Sequence, residues 1–305
     1  MAKKILFGNY KGGVGKTTST YQIASVLSIS QYKVLLIDLD PQSSLSEICF
    51  EAINEYIGDL SVEETLNHII YSQAKKNLYS FNEKNDFRIN DLSKAQLELI
   101  LKKTWLSGTE YIIKNVRMGL DFIPNSLDSK CGGLDSICVD HLNDRIENLL
   151  IIRNFIENHN LNEKYDFIFF DCPPSDNIIT RMAFLYCDYY IIPTIMDKLS
   201  SRGVKHYNKT IQKIYTKYCI DKGYADFFGR EPKLLGVFET MRKGTTNTDR
   251  YRYVLSNELY LFNSVIKHLK SISESIGSPT NVFCQEYYSL TAEIIQRINK
   301  LERVR

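Results

Sequence analysis

The chain has 305 residues, 24% of them charged, and a formal net charge of +2. That balance excludes a disordered charged tail and describes an ordinary globular chain, long enough for one large α/β domain or two small ones. No apolar run approaches the roughly 20 residues that span a bilayer. The seven cysteines form no C-x-x-C pair, which argues against a zinc site or a disulfide framework.

In chain order, Met1-Ala2-Lys3-Lys4 leads into only a few apolar residues, too few for a signal peptide. Ile5-Leu6-Phe7 reads as a strand that breaks into Lys11-Gly12-Gly13-Val14-Gly15-Lys16-Thr17-Thr18 and reopens as a helix over Ser19–Ser30. Strand, glycine loop and helix are the physical recipe for holding a polyphosphate. The glycines let successive backbone N–H groups converge on phosphate oxygens, and the helix N-terminus adds partial positive charge. Lys16 is placed for the β- and γ-phosphates, and the Thr17 hydroxyl for Mg²⁺. The strict pattern has a glycine five residues before Gly15; here that position is Tyr10, and a second lysine, Lys11, follows it.

Val34-Leu35-Leu36-Ile37 reads as a buried strand ending at Asp38, followed by Leu39-Asp40-Pro41-Gln42. Aspartates at i and i+2 project to the same side of an extended chain, so Asp38 and Asp40 face one site. The Lys-, Asn- and Glu-rich segment of about 71–114, with a helical stretch Ser93–Lys103 and Trp105, reads as a helical insertion on a single domain spanning 1–305. Leu120–Pro124 is a strand candidate, then a helix over Leu142–Asn158. Phe167-Ile168-Phe169-Phe170 reads as another buried strand, ending at Asp171 ahead of Cys172-Pro173-Pro174-Ser175. An aspartate at the end of such a strand has the Walker B placement, bound to Mg²⁺ usually through water, and the prolines force the chain out of the strand.

Tyr189–Ile192 and Leu234–Phe238 are further strands; Ser201–Tyr218 and Asn257–Ser275 read as helices. The last helix, Cys284–Val304, places Tyr287, Leu290, Ile294, Ile298 and Leu301 on one stripe, expected to dock on the sheet rather than on a membrane. Continuous apolar strands alternating with helices predict an α/β fold, a mostly parallel twisted sheet covered on both faces, with ligands at the carboxyl ends of the strands. The charge is uneven: residues 196–305 hold 19 Lys and Arg against 11 Asp and Glu. Arg242, Lys243, Arg250 and Arg252, with Lys267 and Lys270 on the expected following helix, are candidate phosphate contacts for DNA.

The loop with its extra lysine, the D-x-D-P-Q stretch at Asp38–Gln42 and the D-x-P-P-S stretch at Asp171–Ser175 resemble the ParA/MinD family of deviant P-loop ATPases. Weaker echoes lie at Leu120–Leu127, at Gly236–Thr246, whose Met241 precedes a loop near the adenine in that family, and at Tyr288–Arg297. Together they cover most of the chain except the insertion. The resemblance implies that Lys11 reaches across an ATP-dependent homodimer to phosphates bound by the other subunit. It implies that Asp38 supports the metal and the P-loop, and that Asp40 orients or activates the attacking water. Lys11, Lys16 and Asp40 are then the catalytic set, residues 11–18 with Met241 the nucleotide site, and Thr17, Asp38 and Asp171 the metal site. One departure is visible: the family's acidic residue before the glycine after strand six is here Arg202.

The function so implied is a Mg²⁺-dependent ATPase of plasmid or chromosome partition, slow by itself, cytoplasmic and nucleoid-associated. Its ATP dimer binds DNA non-specifically, and a ParB-like centromere-binding partner stimulates hydrolysis. The alternatives are a MinD-like membrane-cycling ATPase and a P-loop metabolic synthase related to the cobyrinate and dethiobiotin enzymes.

Overall fold

A computed structural model of the protein describes residues 1–82, 112–244, 248–268 and 285–303. Eight strands form one sheet: β1 (Lys3–Phe7), β2 (Val34–Asp38), β3 (Lys114–Arg117), β4 (Leu120–Ile123), β5 (Phe167–Asp171), β6 (Tyr189–Thr194), β7 (Lys233–Arg242) and β8 (Leu261–Lys267). Their spatial order is β3-β4-β2-β5-β1-β6-β7-β8. Every pairing is parallel except β3 with β4. The expected α/β architecture with a mostly parallel sheet is therefore the observed one.

The helices that position the site are α1 (Lys16–Ile29), α2 (Ser44–Ala52), α3 (Leu66–Asn82), α4 (Leu134–Asp140), α5 (Ile146–Leu149), α6 (Ile151–Asn158), α7 (Leu161–Lys164), α8 (Ile178–Tyr186), α9 (Lys198–Tyr215), α10 (Ala225–Phe228), α11 (Asp249–Ser256) and α12 (Gln285–Arg303). Because side chains alternate along a strand, the central strands feed two cores. Ile5, Phe7, Val34, Leu36, Phe167 and Phe169 pack on one face with residues of α1, α2 and α12. Leu6, Leu35, Ile37, Ile168 and Phe170 pack on the other with residues of α3 to α9.

The last helix docks as its stripe predicts. Tyr287, Leu290, Ile294 and Ile298 are all buried against the first of these faces, each contributing about 1.5–3 kcal/mol of apolar burial. That stripe is therefore not available to a membrane surface. No helix among the described residues is long and apolar enough to cross a membrane.

Two expectations need correction, and a third is tested only at its ends. Asn257–Ser275 is not a helix: its first half is the strand β8, paired with β7 from Val237↔Leu261 to Arg242↔Lys267, and residues 269–284 lie outside the described residues. Phe262 and Ile266 are the buried positions, and a spacing of four satisfies a helical face and a strand face equally. Leu142–Asn158 is broken into α5 and α6. The expected insertion begins inside α3, where Gln73, Ala74 and Asn77 are buried. Its middle, 83–111, with the stretch Ser93–Lys103 and Trp105, lies outside the described residues.

Candidate nucleotide site

The site grows out of strand register. Phe7 is the partner of Asp171 across β1 and β5, and Asp38 is the partner of Asp171 across β2 and β5. The glycine loop, the first Asp of the pair and the strand-end Asp therefore emerge side by side at the carboxyl edge of three adjacent parallel strands.

The loop has the backbone that a phosphate cradle needs. Gly13 and Gly15 adopt φ of 68° and 76°, which favour glycine. A Cβ at Gly12 or Gly13 would meet nothing within 4 Å, so the loop faces open space of the kind a phosphate fills. Val14 is fully buried, and its carbonyl accepts a 2.8 Å bond from the Thr240 hydroxyl, which pins the loop to β7. Met241 lies beside Gly15 in the left-handed region at φ 53°. For a residue with a side chain that conformation is strained, and such strain concentrates at functional sites. Lys16 opens α1 and is 6% exposed.

The metal candidates converge. The Thr17 hydroxyl donates to Asp171 Oδ2 at 2.7 Å, and the Thr20 hydroxyl lies 3.1 Å from Oδ1. Asp38 Oδ2 accepts from both the backbone N–H and the hydroxyl of Ser46, at 2.9 and 2.7 Å, while Oδ1 accepts from the Asp40 N–H. Asp40 in turn accepts at Oδ1 from the Gln42 N–H, and its carbonyl takes a 2.6 Å bond from Asn125.

Burial pushes Asp38 up to about 8, with repulsion from Asp171 adding to it and the Ser46 bonds opposing. Burial also raises Asp171, to about 6, against the pull of Thr17 and Lys16. Two buried carboxylates side by side repel each other, and Lys16 only partly offsets the cost at Asp171, which is the environment a divalent cation relieves. Among the described residues no cluster of three or more His, Cys, Asp or Glu could hold a metal ion. The donor set, one hydroxyl beside carboxylates, fits Mg²⁺ brought in by a nucleotide and keeping several waters, not a protein cage.

Lys11 stands apart from the rest. Its ammonium donates to Asp197 Oδ2 at 2.9 Å and to the Ser200 hydroxyl at 2.7 Å. Asp197 is also the N-cap of α9, accepting from the Ser200 N–H. Lys11 is thus held within its own chain, about half exposed, at the rim of the site.

The basic candidates fare unequally. Arg242 and Arg252 both pair with Glu239, whose side chain is 1% exposed, at 2.6 and 2.9 Å. They neutralise a buried carboxylate and are not free to take phosphates. Lys243 and Arg250 are exposed. Lys267 lies on β8, not on a helix, and pairs with Glu286 at 3.4 Å. Lys270 lies outside the described residues.

Several partners escaped the sequence reading: Ser46, Asn125, Asp197, Ser200, Glu239 and Thr240. Only two carried a local signal. Asp197 followed three residues later by Ser200 has the spacing of a helix cap. The others act across the fold, from positions distant in sequence.

Known proteins resemble this chain along most of its length. The AAA_31 family, an AAA domain, matches residues 2–222. A virulence plasmid ParA family protein of Chlamydia psittaci is 27% identical over 308 residues, 98% of this chain and 93% of the relative. The chromosome-partitioning ATPase Soj of Treponema pallidum is 24% identical over 309 residues, 97% of this chain and 98% of the relative. Among solved structures, a plasmid partition protein from Borrelia burgdorferi bound to AMPPNP superposes with a TM-score of 0.66 at 22% identity, covering 98% of this chain and 99% of the other. A cobyrinic acid a,c-diamide synthase from Mycobacterium smegmatis, with an ATP analogue and magnesium, reaches 0.64 at 18% identity, covering 98% and 96%.

Proposed function

From the premise that this chain belongs to the AAA_31 family and is a ParA-type partition ATPase, we propose that residues 1–305 form one domain that hydrolyses ATP slowly with Mg²⁺ and uses the nucleotide as a switch. The observation that carries this reading is the side-by-side emergence of Thr17, Asp38 and Asp171 next to the open glycine loop.

In this reading the backbone N–H groups of residues 12–18 cradle the β- and γ-phosphates, Lys16 pairs with them, and Met241 lies against the loop beside the nucleotide. Thr17 would ligate Mg²⁺ directly, with Asp171 and Asp38 acting through its waters; the cation supplies charge to the phosphate oxygens. Asp40 holds the attacking water. The water oxygen bonds to the γ-phosphorus as the β–γ bridging bond breaks, giving ADP and phosphate. Little in the single chain stabilises charge on the transferring group, so turnover is slow.

Lys11 supplies the missing cation from a second copy of the chain. For that it must leave Asp197 and Ser200, so the ATP dimer and the single chain use one lysine in two ways. The dimer binds DNA without sequence preference, a ParB-like partner stimulates hydrolysis, and the protein is cytoplasmic and nucleoid-associated.

The test is phosphate release from Mg²⁺-ATP with sedimentation and DNA binding measured in parallel, with ATP, ADP and no nucleotide. Slow turnover, an ATP-dependent dimer and ATP-dependent DNA binding are expected. Phosphate release that needs a small carboxylate substrate and ignores DNA would favour the synthase alternative. ATP-driven recruitment to liposomes would favour the membrane-cycling one.

A further inference from the structure

Helix α9 carries a charge pattern that the sequence reading passed over. Between Lys198 and Tyr215 it contains no Asp or Glu. Lys198, Arg202, Lys205, Lys209 and Lys213 follow one another at spacings of 4, 3, 4 and 4, so all five fall on one face of the helix. The opposite face is the one the core uses: Val204, Tyr207, Ile211 and Ile214 are buried. The stripe is about 22 Å long at 1.5 Å per residue.

Its first turns line a cleft of about 350 Å³ shared with α11, where Arg250 adds a sixth cation and no carboxylate is among the lining residues. Glu258 pairs with Lys205, and no ion pair engages Lys198, Arg202, Lys209, Lys213 or Arg250 among the described residues. The helix N-terminus plays no part, since Asp197 already caps it.

Like charges on successive turns destabilise a helix by a few tenths of a kcal/mol per pair. Core packing on the opposite face holds this helix in spite of that repulsion. A row of cations rigidly spaced along 22 Å matches a polyphosphate backbone; about six phosphates of one strand lie along that length of B-DNA, at about 3.4 Å per charge.

The geometry points to the α9 face, continued by Arg250, as the surface that grips the DNA phosphate backbone. This rests on the DNA-binding reading above and moves the contact from the β7–β8 flank to α9. Arg242 and Arg252 are committed to Glu239, whereas the stripe is accessible along four turns. The stripe starts one residue after Asp197, the partner of Lys11, so the DNA surface begins at the rim of the nucleotide site.

The test compares the wild type with the double variant Arg202→Ala/Lys209→Ala. The control is Lys33→Ala/Lys164→Ala, exposed lysines that precede the central strands β2 and β5, at the amino ends of the strands and away from α9's first turns. DNA affinity is measured with Mg²⁺-ATP as a function of salt, alongside ATP affinity and dimerisation. The stripe variant is expected to lose about 1.8 from the slope of log affinity on log salt for each protomer seated on DNA, about 3.6 for a dimer that seats both, at about 0.9 per phosphate contact, with ATP affinity and dimerisation unchanged. The control is expected to keep the wild-type slope.

A wild type that binds DNA while the stripe variant keeps its slope overturns the assignment but leaves the DNA reading standing. Equal losses in stripe variant and control overturn it too, because they report general charge. If the variant binds DNA normally but loses stimulation by an acidic protein partner, the stripe is a protein-docking face and the inference is wrong. A wild type that binds no DNA removes both readings.

Discussion

The centre of the sheet and its β7–β8 flank carry charge in opposite ways. At the centre, Asp38 and Asp171 are buried acids that no ion pair engages among the described residues; both are raised, by burial first, and Lys16 only partly offsets this at Asp171. At the flank, Glu239 is just as buried but is met by two guanidiniums, Arg242 and Arg252. A buried acid with its own cations serves the fold; a buried acid without them awaits a ligand. The difference separates a structural carboxylate from a functional one without reference to any motif.

The largest expected effect comes from the centre. Lys16→Ala should weaken nucleotide binding by about a hundredfold or more, since it removes the cation paired with the phosphates. Lys11→Ala should leave ADP affinity within about threefold and abolish the ATP dimer. Titrations with ADP and sedimentation with ATP measure the two. Equal loss of ADP affinity in both variants would break the division between a binding lysine and a cross-dimer lysine.

At the flank, Arg252→Ala should cost about 2 kcal/mol of stability, because the buried Glu239 keeps Arg242 but loses a charged partner, and the Phe262 carbonyl loses a donor. Denaturant unfolding reads this directly. Arg250→Ala, next to it in the chain but exposed, should change stability by less than about 0.5 kcal/mol. If the two variants were equally stable, Glu239 would not be the anchor that distinguishes the flank.

Asp40→Ala should reduce ATP turnover by about a hundredfold while ATP binding is kept, trapping the dimer. Single-turnover phosphate release and equilibrium ATP binding separate the two effects. Turnover at the wild-type rate would reduce Asp40 to a turn residue before Pro41.

The smallest effect is a pH dependence. A carboxylate whose folded pKa lies above its unfolded value binds protons more tightly in the native state, so stability falls as pH rises between the two values. For Asp38 that window runs from 3.8 to about 8. Without nucleotide, the melting temperature should therefore fall by a few degrees from pH 5 to pH 8. Mg²⁺-ATP should flatten the trend by supplying the counter-charge, and Asp38→Asn should flatten it without any ligand. A melting temperature that rises over this range would contradict the account of an unrelieved pair.

The legible parts of the chain are those where one segment meets a single demand. Strands β1, β2, β5 and β6 are buried on both faces, so each is written as a continuous apolar run. The glycine loop is legible because its backbone conformation restricts residue choice, and Asp38, Asp40 and Asp171 because each ends or follows such a run.

Edge strands were harder. β3 is only partly buried, with the pattern Lys-Asn-Val-Arg, and β8 offers a four-residue spacing that fits either period. The site was read down to its motif residues, but not to Asn125, Ser46 or Thr240, which reach it from other elements.

The amino-acid sequence by itself determined the α/β class, the phosphate loop and the family, because local backbone demands and unbroken burial leave marks within a few residues. Tertiary structure alone decided which charges are free. Arg242 and Arg252 look available in the sequence and are taken by Glu239. Lys11 is tied to Asp197, 186 residues away. The five cations of α9 form a surface only because the helix buries its other side. Pairing depends on what the fold brings within a few ångströms, and spacing along the chain carries no record of that.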